Sequence, residues 1–113
     1  MKLTEKEMQI MAVLWDRKVP MTAAEIIEAS SDRTWKENSF YIMIHKLIEK
    51  GVVALAYYKP TITKSARTYK PAVTAEDYAV AYIESMSKAG IHIDAHKLIE
   101  RVKEKRCLRT KDR

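Results

Sequence analysis

The chain has 113 residues, a net charge of +6 and a hydrophobic fraction of 47%. That suffices for one compact domain with a small core, or for one small domain with an appendage. No apolar run is long enough to span a bilayer and the N-terminus has no signal-peptide pattern. The single cysteine, Cys107, leaves no disulfide framework, so the expected setting is a reducing cytoplasm.

The charge is unevenly spread. Residues 1–32 carry a net −2 and residues 75–113 a net +2, whereas residues 33–74 hold eight basic and two acidic side chains. A localised basic excess is the electrostatic footprint of a polyanion binder. The alternative is a solvated lysine surface.

In chain order, the first helix is expected from about Glu5 to Arg17, with Met8, Met11, Ala12, Leu14 and Trp15 on its inner face. Lys18 to Met21 read as a turn or short strand, because Pro20 interrupts the pattern. A second helix runs from about Ala23 to Ala29 and presents Ile26 and Ile27. Ser30 to Arg33 form the next turn. Four capping-box patterns mark helix starts: Thr4 with Glu7, Thr22 with Glu25, Thr34 with Glu37 and Thr74 with Asp77.

The third helix is the most informative. Taken from Trp35 to Lys50 and closed by Gly51, it has an apolar face of Phe40, Met43, Ile44, Leu47 and Ile48. The opposite face carries Asn38, Ser39, Tyr41, Ile42, His45 and Lys46. A buried stripe opposite short polar, aromatic and basic groups suits the DNA major groove. Val52 to Lys59 read as a strand that should stop near Pro60, which has no N–H to donate. Arg67 to Val73 form the returning strand, leaving a long tip from Pro60 to Ala66. This basic hairpin would lie as a wing along the phosphate backbone. The expected DNA contacts are Lys36, Asn38, Ser39, Tyr41, Ile42, His45 and Lys46 on the helix, with Lys64 and Arg67 on the wing.

A fourth helix follows Thr74, with Tyr78, Ala79, Tyr82, Ile83 and Met86 on one face, and breaks at Lys88-Ala89-Gly90. The last, from about Ala95 to Arg106, shows Leu98, Ile99 and Val102, and Lys103 to Arg113 form a charged tail expected to fray. The two stripes cannot cover each other and also cover the winged core. Pairing with a second chain through Tyr78, Tyr82, Ile83, Met86, Leu98, Ile99 and Val102 is the economical solution; folding back on the same chain is the other.

The expected fold class is therefore mainly α with a small β-hairpin: a winged helix-turn-helix in residues 1–74 and C-terminal dimerisation helices in residues 75–113. The expected partners are an operator in double-stranded DNA and a second copy of the chain, with no membrane. No catalytic residue, metal site or cofactor is expected. Gly51 and Gly90 cannot make a phosphate loop, and no nucleophile–base–acid set is apparent. His92 and His96 have helical metal-ligand spacing, but Asp94 reads as an N-cap, which would leave His92 outside the helix. Cys107 is read as incidental.

Residues 3–86 resemble the penicillinase and methicillin-resistance repressors, the BlaI/MecI family. The resemblance rests on Leu3-Thr4 with Glu7, Ile10, Met11, Leu14 and Trp15, then on Thr22-Ala23 with Glu25-Ile26, and on Trp35. Ile44, Leu47 and Lys50-Gly51 continue it, and Tyr69, Pro71 and Val73 close it. It implies a dimeric winged-helix repressor of a palindromic operator. Where the family commonly opens its recognition helix with Ser-Pro-Lys-Thr, then an arginine and threonines, this chain has Lys36-Glu37-Asn38-Ser39, then Tyr41, Ile42 and His45. The operator should differ accordingly. The family's dimerisation region has an additional middle helix. Its penicillinase branch is cleaved there at an Asn-Phe bond by a membrane protease, and its copper-responsive branch carries a C-terminal cysteine cluster. Here the single asparagine precedes Ser39 and there is one cysteine. Neither induction route is expected in its familiar form. The alternative function is a winged-helix module that binds protein and no longer reads DNA, for which Tyr41, Ile42 and Met43 in succession are the argument.

Overall fold

The computed structural model describes residues 2–62 and 64–111, the last five of them as backbone only. The chain divides into two compact units, residues 1–79 and 80–113.

In the first unit, α1 (Glu5–Arg17) starts at a reciprocal cap. The Glu7 N–H donates to Thr4 Oγ1 at 3.2 Å, and the Thr4 N–H donates to Glu7 Oε1 at 2.9 Å. A cap of this kind contributes about 0.5–2 kcal/mol. The helix ends at Lys18, in left-handed backbone with φ 60°, whose N–H donates to Leu14 O. Its buried residues are Glu7, Ile10, Met11 and Leu14. This corrects the expected face: Met8 and Ala12 are exposed and Ile10 is inside. The burial arc includes a carboxylate, so a hydrophobic pattern alone misplaces it.

A short strand, β1 (Met21–Thr22), leads directly into α2 (Ala23–Ala29), which repeats the cap with Thr22 and Glu25. The third expected capping box does not form. Thr34 instead exchanges two hydrogen bonds with Gln9, and Trp35 enters the core rather than a helix. A single 3₁₀ turn, Glu37–Ser39, then feeds α3 (Phe40–Glu49). The third helix thus begins five residues later than expected. At its far end Gly51 has φ +79° and Val52 N–H donates to Leu47 O at 3.1 Å, a left-handed closure that glycine permits.

β2 (Val53–Pro60) and β3 (Ser65–Pro71) complete an antiparallel sheet of order β1-β3-β2. Pairing runs from Val53 opposite Pro71 to Pro60 opposite Ser65, with an irregularity between Leu55 and Tyr58. Ala56 and Tyr57 there face the single residue Thr68, a bulge. The strands reach Pro60 and Ser65, so the tip between them is shorter than expected. Pro60 stays in the ladder because β2 is an edge strand, where a missing N–H costs nothing. The Thr61 N–H donates to Lys64 O at 2.7 Å across the tip.

The core lies between the three helices and the sheet. Ile10, Met11, Leu14, Ile26, Phe40, Ile44 and Leu47 are buried, and Val52, Val53 and Tyr69 close over them. Full burial of such a side chain contributes about 1.5–3 kcal/mol. α4 (Ala75–Lys88) begins on this unit, with the Asp77 N–H donating to Thr74 Oγ1 at 3.0 Å. Trp15 Nε1 donates to Val73 O at 2.9 Å. The Tyr78 hydroxyl accepts from the Leu3 N–H at 3.0 Å, and its ring lies 6.1 Å from that of Trp15.

In the second unit, α4 closes at Gly90 (φ +91°), where the Ile91 N–H donates to Met86 O at 2.9 Å. α5 (Ala95–Lys111) starts on Asp94, whose carboxylate accepts from the Lys97 N–H at 3.1 Å. It runs past Arg106 through most of the tail expected to fray. That segment has no glycine or proline and is rich in lysine, glutamate and arginine, all good helix formers. Tyr82, Ile83, Met86 and Leu98 are half-buried; Ile99 and Val102 remain 51% and 45% exposed. The Cys107 side chain lies outside the described residues.

Candidate nucleic-acid interface

α3 is held by its apolar stripe. Phe40, Ile44 and Leu47 are inside, with Met43 and Ile48 packed at the margin, as their spacing requires. The turn before it is built by two residues. Arg33 Nη1 donates to the carbonyls of Ile27 (3.2 Å) and Ser30 (3.4 Å), closing α2, while its guanidinium lies 5.4 Å from the Trp35 ring. Trp35 in turn packs 6.0 Å from Phe40. These contacts tie the turn to the start of α3, whose outer face remains open. Lys36, Asn38, Tyr41, Ile42, His45 and Lys46 are exposed, and Ser39 is half-buried. Tyr41 and Ile42 are 58% and 64% exposed, a large apolar surface that buried packing does not explain. Tyr41 stands edge-on to Phe40, with ring centroids 5.4 Å apart.

A cleft of about 340 Å³ separates α3 from the wing. It brings together Tyr41 and His45 from the helix with Lys64 and Arg67 from the hairpin, over a floor that includes Tyr69. Lys36, Asn38, Ser39, Ile42 and Lys46 lie outside it. The polar groups of the cleft are cationic, imidazole and hydroxyl with no carboxylate, set beside Ala23, Ile44, Ile48 and Ala66; the cations are of the kind that meets phosphate oxygens.

Two of the lysines in the basic segment are already engaged. Lys50 Nζ meets Glu7 Oε1 at 2.6 Å, and Lys59 Nζ meets Glu25 Oε2 at 2.7 Å. Lys59 and then Thr22 hold the Glu25 carboxyl below its ordinary value. The outward positive field therefore rests on fewer groups than the sequence count implies, chiefly Lys36, Lys46, Lys64, Arg67 and Lys70, all exposed.

Tyr58 is a neighbour of the site that the residue pattern does not reveal. It sits opposite Arg67 in the ladder, and its hydroxyl beside the guanidinium holds Arg67 above its ordinary value. Only the register shift at Ala56 and Tyr57 puts the two together. Burial, then the nearby Tyr41, pushes the Tyr69 phenol up.

Among the described residues, no group of three or more His, Cys, Asp or Glu side chains could hold a metal ion. His92 precedes the Asp94 cap, outside α5. No described helix is long and apolar enough to cross a membrane.

The penicillinase repressor family profile matches residues 3–113. No curated protein matches the chain significantly. Among solved structures, the ferric uptake regulator from Francisella tularensis with iron superposes with a TM-score of 0.49 at 8% identity. It covers 83% of this chain and 84% of that one, a likeness too slight to carry function across. The family match spans nearly the whole chain, and it makes this protein a DNA-binding transcriptional repressor belonging to the penicillinase repressor family.

Proposed function

We propose that the protein works as a homodimer that reads a palindromic operator, with α3 in the major groove and the hairpin on the adjacent phosphates. One observation carries this reading: Tyr41 and His45 from the exposed face of α3 share a cleft with the wing cations Lys64 and Arg67, while Phe40, Ile44 and Leu47 of the same helix are buried in the core. Asn38 is the residue for adenine, Ile42 for a thymine methyl, and Ser39 for a base edge or a phosphate. Tyr41 and His45 meet base or backbone at the cleft, and Lys36, Lys46, Lys64 and Arg67 take phosphates. Residues 75–113 supply the dimer contact. Tyr82, Ile83, Met86, Leu98, Ile99 and Val102 form it; Tyr78 is engaged with Trp15 and Leu3 instead. Two heads related by a two-fold axis read an inverted repeat.

Selection of bound sequences from a random DNA pool tests this. The expected result is an inverted repeat, and Asn38→Ala or Ile42→Ala should change the selected half-site while leaving the fold intact. Each lost base contact costs on the order of 1–3 kcal/mol of discrimination. A pool with no enrichment would leave the exposed Tyr41–Ile42 surface to be explained by a protein partner.

A further inference from the structure

Two polar contacts from one turn of α1 reach the two ends of the recognition segment. Gln9 Nε2 donates to Thr34 Oγ1 at 3.2 Å, and the Thr34 N–H donates to Gln9 Oε1 at 3.1 Å. Thr34 stands just before buried Trp35 and the 3₁₀ turn that opens α3. Two residues earlier on α1, Glu7 Oε1 takes a 2.6 Å hydrogen bond from Lys50 Nζ, at the C-cap of α3. Lys50 Nζ also reaches the Lys2 carbonyl at 3.4 Å.

Apolar packing fixes how deep a helix sits, but it is not directional. Hydrogen bonds are, and contacts at both ends of a helix define its tilt. The Glu7 site shows a cost consistent with such a role. Glu7 is 3% exposed, and its Oε2 is buried with no hydrogen-bond partner. A buried carboxylate with one unanswered oxygen is a poor source of stability compared with an apolar side chain of similar size. What it does supply is a fixed distance between α1 and the end of α3.

We propose that Gln9 and Glu7 are positioning residues for DNA reading: α1 grips the approach to α3 through Gln9–Thr34 and its exit through Glu7–Lys50, and so sets the pitch at which α3 meets the bases. The inference rests on the reading that α3 enters the major groove. Loss of the grip should degrade sequence discrimination while sparing the phosphate attraction, because neither Gln9 nor Glu7 is among the cations that attract the backbone.

The test uses the full chain and compares affinity for the selected operator with affinity for a random duplex of equal length. Gln9→Met keeps the side-chain length without the hydrogen bonds, and Thr34→Val removes the hydroxyl. Gln9→Met should lower operator affinity roughly 5- to 20-fold, as expected for a coupled contact, with random-duplex affinity held within about twofold. The double variant should be no worse than Gln9→Met alone, since both break one contact. Glu7→Gln should act in the same direction. If it unfolds the protein, the Gln9–Thr34 pair decides, because that pair lies at the surface and melting curves will show those variants folded. Unchanged operator-to-random ratios in folded Gln9→Met and Thr34→Val would overturn the proposal while leaving DNA reading intact. A wild-type chain with no operator preference would overturn the DNA reading and the grip with it.

Discussion

Thr68 grips the backbone of Tyr57 across the wing: its Oγ1 accepts from the Tyr57 N–H at 2.9 Å, and its O–H donates to the Tyr57 carbonyl. Thr68 is 1% exposed, and it is the one residue that faces two across the bulge. The hydroxyl satisfies the two backbone groups that the interrupted ladder leaves over. The bulge in turn puts Tyr58 opposite Arg67.

Thr68→Val keeps the shape and removes both hydrogen bonds. Buried backbone groups left unpaired cost about 1–3 kcal/mol, and urea denaturation should show a loss of that size. Thr68→Ser should lose much less. An unchanged midpoint for Thr68→Val would mean that the hydroxyl does not hold the bulge.

Acid should loosen the α1–α3 contact. Burial pushes the Glu7 carboxyl up, but Lys50 and Thr4 outweigh it and hold the carboxyl below its ordinary 4.5. A carboxyl lowered in the folded state contributes stability that is fully present above that ordinary value. The contribution is lost as pH falls through the lower, folded-state value. The wild type should therefore lose stability progressively below pH 4.5. Glu7→Gln should be less stable at neutral pH and should fall less steeply in acid. Parallel acid curves for the two proteins would count against the pair.

DNA binding should weaken steeply with salt, because each neutralised phosphate releases counterions. Arg67→Ala and Lys46→Ala should each reduce the salt slope by about one, with little change in preferred sequence. Lys59→Ala should change the slope less, because its ammonium is paired with Glu25. Equal effects for all three would show that the pairing does not withdraw Lys59 from the DNA.

The proposed dimer would rest on α5 and the second half of α4. Light scattering of the intact chain should give twice its 13.1 kDa mass. Ile99→Glu with Val102→Glu places charges on exposed apolar positions of α5. It should give a folded monomer with operator affinity lower by on the order of 10²-fold, since linked heads bind with avidity. A wild-type monomer at about tens of micromolar would exclude all but a very weak dimer.

The sequence by itself determined whatever depends on residues close together in the chain. Thr4 with Glu7 and Thr22 with Glu25 cap their helices because the partners are three residues apart, within one turn. Gly51 and Gly90 end helices because only glycine takes their backbone at no steric cost. The stripe from Phe40 to Ile48 sorted α3 into a buried and an exposed face by periodicity alone. Tertiary structure decided wherever a distant group competed for a local one. Thr34 forgoes its box because Gln9, 25 residues away, offers two hydrogen bonds, and Trp35 leaves the helix for the core. Lys50 and Lys59 leave the free basic surface because carboxylates 43 and 34 residues away meet them. Tyr58 joins Arg67 only through a bulge that shifts the strand register, and no alternation pattern shows where an extra residue falls. Local geometry is written in spacing, whereas a long-range partner is chosen by the packing that brings it near.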